Sequence, residues 1–352
     1  MGMPWDQGYE CASSNTGDDQ NGMCALAAIA VPSTRTNYYM ADGQTRYQSY
    51  LTLTDSAERY MAIAEPAERV YTPGTYRGSM GTGPYSPGAG LAQEMVRYND
   101  VLYFQPHLLD NDDDPIYDTF GEVFAVTGTA VVTKDGAEIN RIDGDLSWFD
   151  TGLPPGESGR YRPSLEGTLD VPWTPLGTRN TLDWEFDSVP GPADTSAALP
   201  FSVVEFDAEG VVNGTAARDK AQQVELDYTP QPGAPDTAAT SMTFEVSYDD
   251  GATWKKVALD RTGDHATATL RHPKSAEYVS VRMSATGDDG TKITHSTVRS
   301  YVLRQSEGGP GRTRPGPPRC SGYYYFFFTS LRRSSTFASG GTSKCAFSAF
   351  ST

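Results

Sequence analysis

Residues 246–257 read VSYDDGATWKKV, and within them Ser247, Asp249, Gly251, Thr253 and Trp254 stand at the spacing S-x-D-x-G-x-T-W. Such a run suits a tight bend. Asp249 can accept hydrogen bonds from backbone amides across the turn, Gly251 can take a positive φ, and Trp254 can cover the base of the hairpin. The chemistry expected of Ser247, Asp249, Gly251 and Trp254 is therefore structural. A second constellation, Leu109 to Pro115, gathers Asp110, Asp112, Asp113 and Asp114. Carboxylate oxygens are hard ligands, so Asp110, Asp112 and Asp114 are the candidate calcium ligands. The EF-hand template fails there, because Pro115 stands where the bend glycine belongs and Gly121 where the bidentate glutamate belongs. A solvated acidic loop is the plainer reading.

A third run, Asp150-Thr151-Gly152, carries the tripeptide of an aspartic-peptidase carboxylate. That chemistry needs two carboxylates sharing a proton, and the following Leu153-Pro154-Pro155-Gly156 reads better as a turn. The four histidines, His107, His265, His272 and His295, are too far apart for a zinc pair on one strand or turn. Asn213-Gly214-Thr215 fits a glycosylation acceptor. These patterns point to no catalytic or cofactor-binding residue, and calcium at the aspartates is the one cofactor they suit.

Strands must position these groups. The strand patterns are short and bounded by turn residues: Arg46 to Thr54, Asp100 to Leu109, Val123 to Ile139, Gln222 to Thr229, Met242 to Leu259, His265 to His272 and Tyr278 to Leu303. Asp-Gly at 135–136 and 250–251 sits between β-rich runs, which is the hairpin signal. The best helical pattern, Ser56 to Val70, is interrupted by Pro66. Repeated strands without intervening helices predict an all-β chain of two antiparallel β-sandwich domains, of immunoglobulin or jelly-roll type. The expected divisions are an irregular segment 1–44, a first sandwich 45–188, a second, immunoglobulin- or fibronectin-like sandwich 196–304, and a tail 305–352. Asp187 to Pro200 reads as the linker. Val298, Ser300 and Val302 alternate with Arg299, Tyr301 and Leu303 as a closing strand whose loss would open an edge.

The formal charge of the 352 residues is −17. Six cations against Glu307 put +5 on the last 48 residues and leave −22 on residues 1–304. A body that acidic repels phosphate backbones and anionic membranes, so neither nucleic acid nor membrane is an expected partner. The apolar run Cys24 to Val31 is far shorter than the roughly 20 residues that span a bilayer, and acidic residues precede it where a signal peptide carries Lys or Arg. The expectation is of no visible export signal. Cys11 with Cys24 and Cys320 with Cys345 form two local pairs whose disulfide state the spacing leaves open.

The S-x-D-x-G-x-T-W pattern is the Asp-box that recurs on the blades of sialidase-type propellers. A propeller needs several similar blades, however, and the pattern occurs once with no repeat of fixed period. From Trp184 and Phe186, through Leu199 to Phe206, Ser247 to Trp254 and His272-Pro273, to Arg299, Tyr301 and Leu303, the chain instead resembles the C-terminal region of large secreted subtilisin-like serine peptidases of actinobacteria. The resemblance covers roughly residues 45–304 and is closest after Leu182. It implies an extracellular, β-rich accessory region whose partners are the catalytic domain of the same peptidase and a protein substrate or cell-wall polymer.

A subtilisin-like triad needs Asp in D-[ST]-G, which Asp150-Thr151-Gly152 matches weakly, together with His in H-G-[TH] and Ser in G-T-S-[MA]. No histidine here is followed by Gly, and the one G-T-S, at 341–343, is followed by Lys344. The chain is therefore expected to be non-catalytic; a free-standing carbohydrate-binding or wall-adhesive module is the alternative. After Arg304 the strand pattern stops, and 305–352 mixes Pro/Arg runs, six adjacent aromatics and Ser/Gly stretches, the composition of a disordered or out-of-frame tail.

Overall fold

The computed structural model describes residues 7–15, 27–29, 36, 38–39, 41, 46–54, 60–64, 69–76, 83–88, 95–111, 116–117, 126–146, 148–169 and 174–305. Among them there is no helix: the chain is all-β, built of several antiparallel sheets. The residues that force this are visible strand by strand. Along Arg179–Ser188, Asn180, Leu182, Trp184, Phe186 and Ser188 are buried and the residues between them are not. Ala221–Pro230 alternates in the same way at Gln222, Val224, Leu226 and Tyr228. A period of two lets each strand bury one face and leave the other wet.

The largest sheet runs in the order Ala137–Asp145, Thr127–Lys134, Gly159–Thr168, Arg179–Ser188, Lys292–Arg304, Tyr278–Gly287, Ala239–Ser247 and Lys255–Val257. Its ninth strand, Thr215–Ala217, lies parallel to the end of Lys292–Arg304, with Thr215 opposite Val302. Two four-stranded sheets add to it. One is ordered Phe149–Gly152, Val101–Phe104, Met95–Tyr98, Ser196–Ala198; the other Ser202–Ala208, Ala221–Pro230, His265–Arg271, Asp260–Thr262. Tyr85–Gly88 pairs with His107–Asn111, and a further sheet at the N-terminal end joins Ile116–Tyr117, Tyr60–Ala64, Arg46–Thr54, Gln7–Asn15 and Ala27–Ile29.

Two departures from the sequence reading have physical reasons. The segment expected to be irregular, 1–44, supplies Gln7–Asn15, which pairs along its whole length with Arg46–Thr54. The interrupted pattern at Ser56 to Val70 gives the strands Tyr60–Ala64 and Arg69–Val70, in keeping with an all-β chain, because Arg46–Thr54 offers both an edge to pair with. The supposed closing strand, Lys292–Arg304, is central. It pairs with Arg179–Ser188 on one side and Tyr278–Gly287 on the other, so one sheet crosses the expected division between 188 and 196.

Burial is continuous as well. One cluster of buried apolar side chains extends from Met95 to Leu303. In it Trp184 stacks on Phe186 with ring centroids 3.9 Å apart and meets the edge of Phe201 at 4.8 Å, while Phe206 lies 5.5 Å from Phe244. Two buried polar side chains tie the layers. The Gln231 amide donates to the carbonyls of Met95 and Leu199 at 2.7 and 2.8 Å and accepts from the Met95 amide at 3.1 Å. The Arg97 guanidinium donates to the carbonyls of Asn99 and Glu157 and to Ser188 Oγ. Such groups are tolerated inside because their donors are matched by backbone acceptors.

Candidate functional site

The 247–254 hairpin is built from its own side chains. Ser247 Oγ donates to Asp249 Oδ1 at 2.7 Å and accepts from the Gly251 amide at 2.9 Å. Asp249 Oδ1 accepts from the Thr253 amide at 2.9 Å and Oδ2 from Thr253 Oγ1 at 2.6 Å. These bonds, the Thr253 hydroxyl first, hold the exposed Asp249 carboxyl down at about 2. Asp250 and Gly251 both take positive φ, 56° and 81°, and the Ala252 amide donates to the Asp249 carbonyl, which makes the bend a mirror-image turn suited to the strand twist. The motif's carboxylate and hydroxyls are therefore spent on the turn.

Arginines bolt that turn to the large sheet. Asp250 accepts two hydrogen bonds from Arg299, at 2.8 and 2.6 Å. Arg299 itself sits at φ 60°, beside the irregularity where Tyr278–Gly287 shifts register against Lys292–Arg304, with its guanidinium 4.5 Å from the Tyr278 ring centroid. Trp254 is half-buried rather than enclosed; Arg282 lies over its ring at 4.6 Å and bonds Glu245. A Cβ on Gly251 would come within 3.3 Å of the indole and 3.1 Å of Arg179, so Trp254 covers the turn as the spacing suggests.

Behind the hairpin lies a polar network that the sequence does not announce. His272 Nε2 and the Tyr301 hydroxyl both donate to Gln222 Oε1, at 2.9 and 2.7 Å, and Tyr248 OH lies 3.2 Å from His272 Nδ1. Burial pushes His272 down to about 4 and Tyr248 up to about 12. His295, fully enclosed, accepts from the Val204 amide at 3.1 Å through Nε2, and burial also pushes it down to about 4. Above pH 6.5 both histidines are neutral whether folded or unfolded and contribute nothing to pH dependence. Below it the unfolded chain takes protons that the folded chain refuses, so stability falls from pH 6.5 to about 4. His295 alone should account for about 3 kcal/mol over that window. Urea unfolding at pH 7.5 and pH 4 should show the lower midpoint in acid, and His295→Gln should narrow the difference while His272 retains its share. Equal midpoints at the two pH values would exclude this account.

The other nominated residues are scattered. Asp110 is buried with its carboxylate 3.3 Å from His107 Nδ1, against Gly88, where a Cβ would overlap it at 1.8 Å. Asp112 and Asp114 lie outside the described residues, as do Cys24, Cys320 and Cys345. Among the described residues no group of three His, Cys, Asp or Glu is placed to hold a metal ion. Asp150 stands on Phe149–Gly152, its carbonyl accepting from Asn140. His265 is exposed and bonds Asp227 at 2.9 Å, which raises its proton affinity.

The feature that sequence reasoning missed is a cluster of tyrosines from three separate stretches. Tyr39 stacks on Tyr71 with centroids 4.7 Å apart and planes 9° apart; Tyr47 leans on both, at 4.8 and 5.8 Å. Tyr76 stands edge-on to Tyr71 at 5.1 Å and remains 56% exposed, and Tyr38 beside Tyr39 is 93% exposed. Twenty tyrosines in the chain are a compositional hint; which of them meet depends on the pairing of Arg69–Val70 with Arg46–Thr54.

No protein-family model matches the chain, and no curated protein matches it.

Proposed function

We propose that this chain is a non-catalytic accessory β-region of a secreted subtilisin-like serine peptidase, stabilising that peptidase outside the cell or holding its protein substrate or wall polymer. One observation carries the reading: the residues that bear the resemblance are framework residues. Trp184 stacks on Phe186 and meets Phe201 edge-on, Phe206 lies between Phe244 and Tyr301, His272 and Tyr301 meet on Gln222, and Arg299 clamps Asp250. A likeness that lies in the core and its locking turn is a likeness of scaffold, which supports a structural rather than a catalytic role for this region. The finer architecture that fits is a pair of antiparallel sandwiches, 45–188 and 196–304, that share the ladder between Arg179–Ser188 and Lys292–Arg304. The tyrosine cluster favours a second reading, a free-standing extracellular binding module.

The test has two arms. The purified chain should hydrolyse no casein and take no fluorophosphonate label. Fused behind a subtilisin-like catalytic domain, it should lengthen that domain's half-life at elevated temperature or lower its KM for casein without changing hydrolysis of a small chromogenic peptide. Stoichiometric labelling of a serine, or a fusion indistinguishable from the free catalytic domain, would overturn the reading.

A further inference from the structure

We infer that the tyrosine cluster is a binding platform for a neutral polysaccharide, with the faces of Tyr76 and Tyr38 as the contact surface. This rests on the holding role proposed above and names its ligand class. The first argument is preorganisation. An exposed tyrosine ordinarily keeps its rotamer freedom, because nothing is gained by fixing it. Tyr76 is fixed at both ends while more than half of it faces solvent: its ring edge meets Tyr71, and its hydroxyl donates to the Thr72 carbonyl at 3.0 Å and accepts from Thr72 Oγ1 at 2.8 Å. Tyr71 in turn is braced by Tyr39 and Tyr47, the latter buried. Ordering cost that would otherwise fall on binding is thus met during folding.

The second argument is chemical. Residues 70–76, Val-Tyr-Thr-Pro-Gly-Thr-Tyr, between Arg69 and Arg77, are themselves uncharged and rich in hydroxyl and aromatic groups. Every residue of 72–76 is exposed, so the surface offers aromatic faces beside hydroxyls and backbone. It matches a pyranose chain, whose rings present apolar C–H faces to aromatics and hydroxyls at their rims. The cluster draws on Tyr39, Tyr47, Tyr71 and Tyr76, three separate stretches that meet beside the pairing of Arg46 and Tyr47 with Val70 and Arg69.

Affinity electrophoresis of the full chain decides it, in gels containing hydroxyethyl cellulose, xylan or glycol chitin, each compared with a gel without polymer. At least one polymer should retard the wild type. Tyr76→Ala should weaken that retardation about tenfold and Tyr38→Ala combined with Tyr76→Ala should remove it, whereas Tyr76→Phe should keep most of it. Equal urea midpoints for all variants establish that folding is intact. Three results would overturn the inference: no retardation in any gel, retardation unchanged in the double variant, or capture of casein in place of polysaccharide that the double variant loses. The last would leave the holding role standing with a protein ligand. The accessory role is tested separately by the fusion, which does not involve these tyrosines.

Discussion

Deletion of residues 298–304 is expected to abolish cooperative folding. The segment is the second half of the strand at the middle of the nine-stranded sheet, and its loss removes four kinds of interaction together. Val298, Tyr301 and Leu303 leave the core, where each is buried. Thr215–Ala217 loses its only ladder, and the Gly177 and Thr178 amides lose the carbonyls of Arg299 and Val298. Ser300 Oγ no longer donates to the Tyr85 carbonyl, nor Tyr301 OH to Gln222. Asp250, half of the hairpin clamp, is left without Arg299. Burying a large aromatic and a leucine is worth several kcal/mol each by truncation data, and whole domains are stable by only about 5–15 kcal/mol. Circular dichroism through a urea titration should show no sigmoidal transition for the deletion. Truncation after Gln305, which removes none of the described strands, is the matched control and should retain the full chain's midpoint. A cooperative transition in the 298–304 deletion would mean that the sheet tolerates being split there.

The same strand shows how far the sequence can be read. Alternation along 298–304 marks it as a strand correctly, because the period of two is local. Its place at the sheet's middle is not local: it depends on Arg179–Ser188 arriving more than a hundred residues earlier to take the other edge. The hairpin at 247–254 is legible almost to the atom, since Ser247, Asp249, Gly251 and Thr253 satisfy one another within seven residues. Trp254 is legible only by half. That it covers the turn follows from spacing, but its partial exposure is set by Arg282 from a neighbouring strand. The tyrosine cluster is the limiting case. No spacing between 39, 47, 71 and 76 predicts a stack, and only strand pairing brings them together. At Asp110 the local reading of an acidic run is overridden by long-range packing: the side chain lies inside against His107 and Gly88.

Trp184→Ala should cost about 4 kcal/mol, the largest effect expected of any single substitution. The indole has no exposure, stacks on Phe186 and touches Phe201 and Phe104 edge-on, so truncation leaves a cavity lined by aromatic rings that cannot collapse into it. Trp184→Phe should be far milder, about 1 kcal/mol. Part of the cavity stays filled, and the indole Nε1, which has no hydrogen-bond partner, is removed from a site where it is buried unpaired. The position also reports on how the chain divides. Phe104 comes from a strand before residue 188, Phe201 from the segment after it, and Trp184 from the strand that joins the large sheet across the expected boundary. If the core behaves as one unit, calorimetry should show a single transition that moves down intact in Trp184→Ala. If instead 45–188 and 196–304 unfold independently, the substitution should lower one transition and leave a second in place. A single unshifted transition would mean that the ring stack contributes little, and that the ladder between Arg179–Ser188 and Lys292–Arg304 holds the two layers without it.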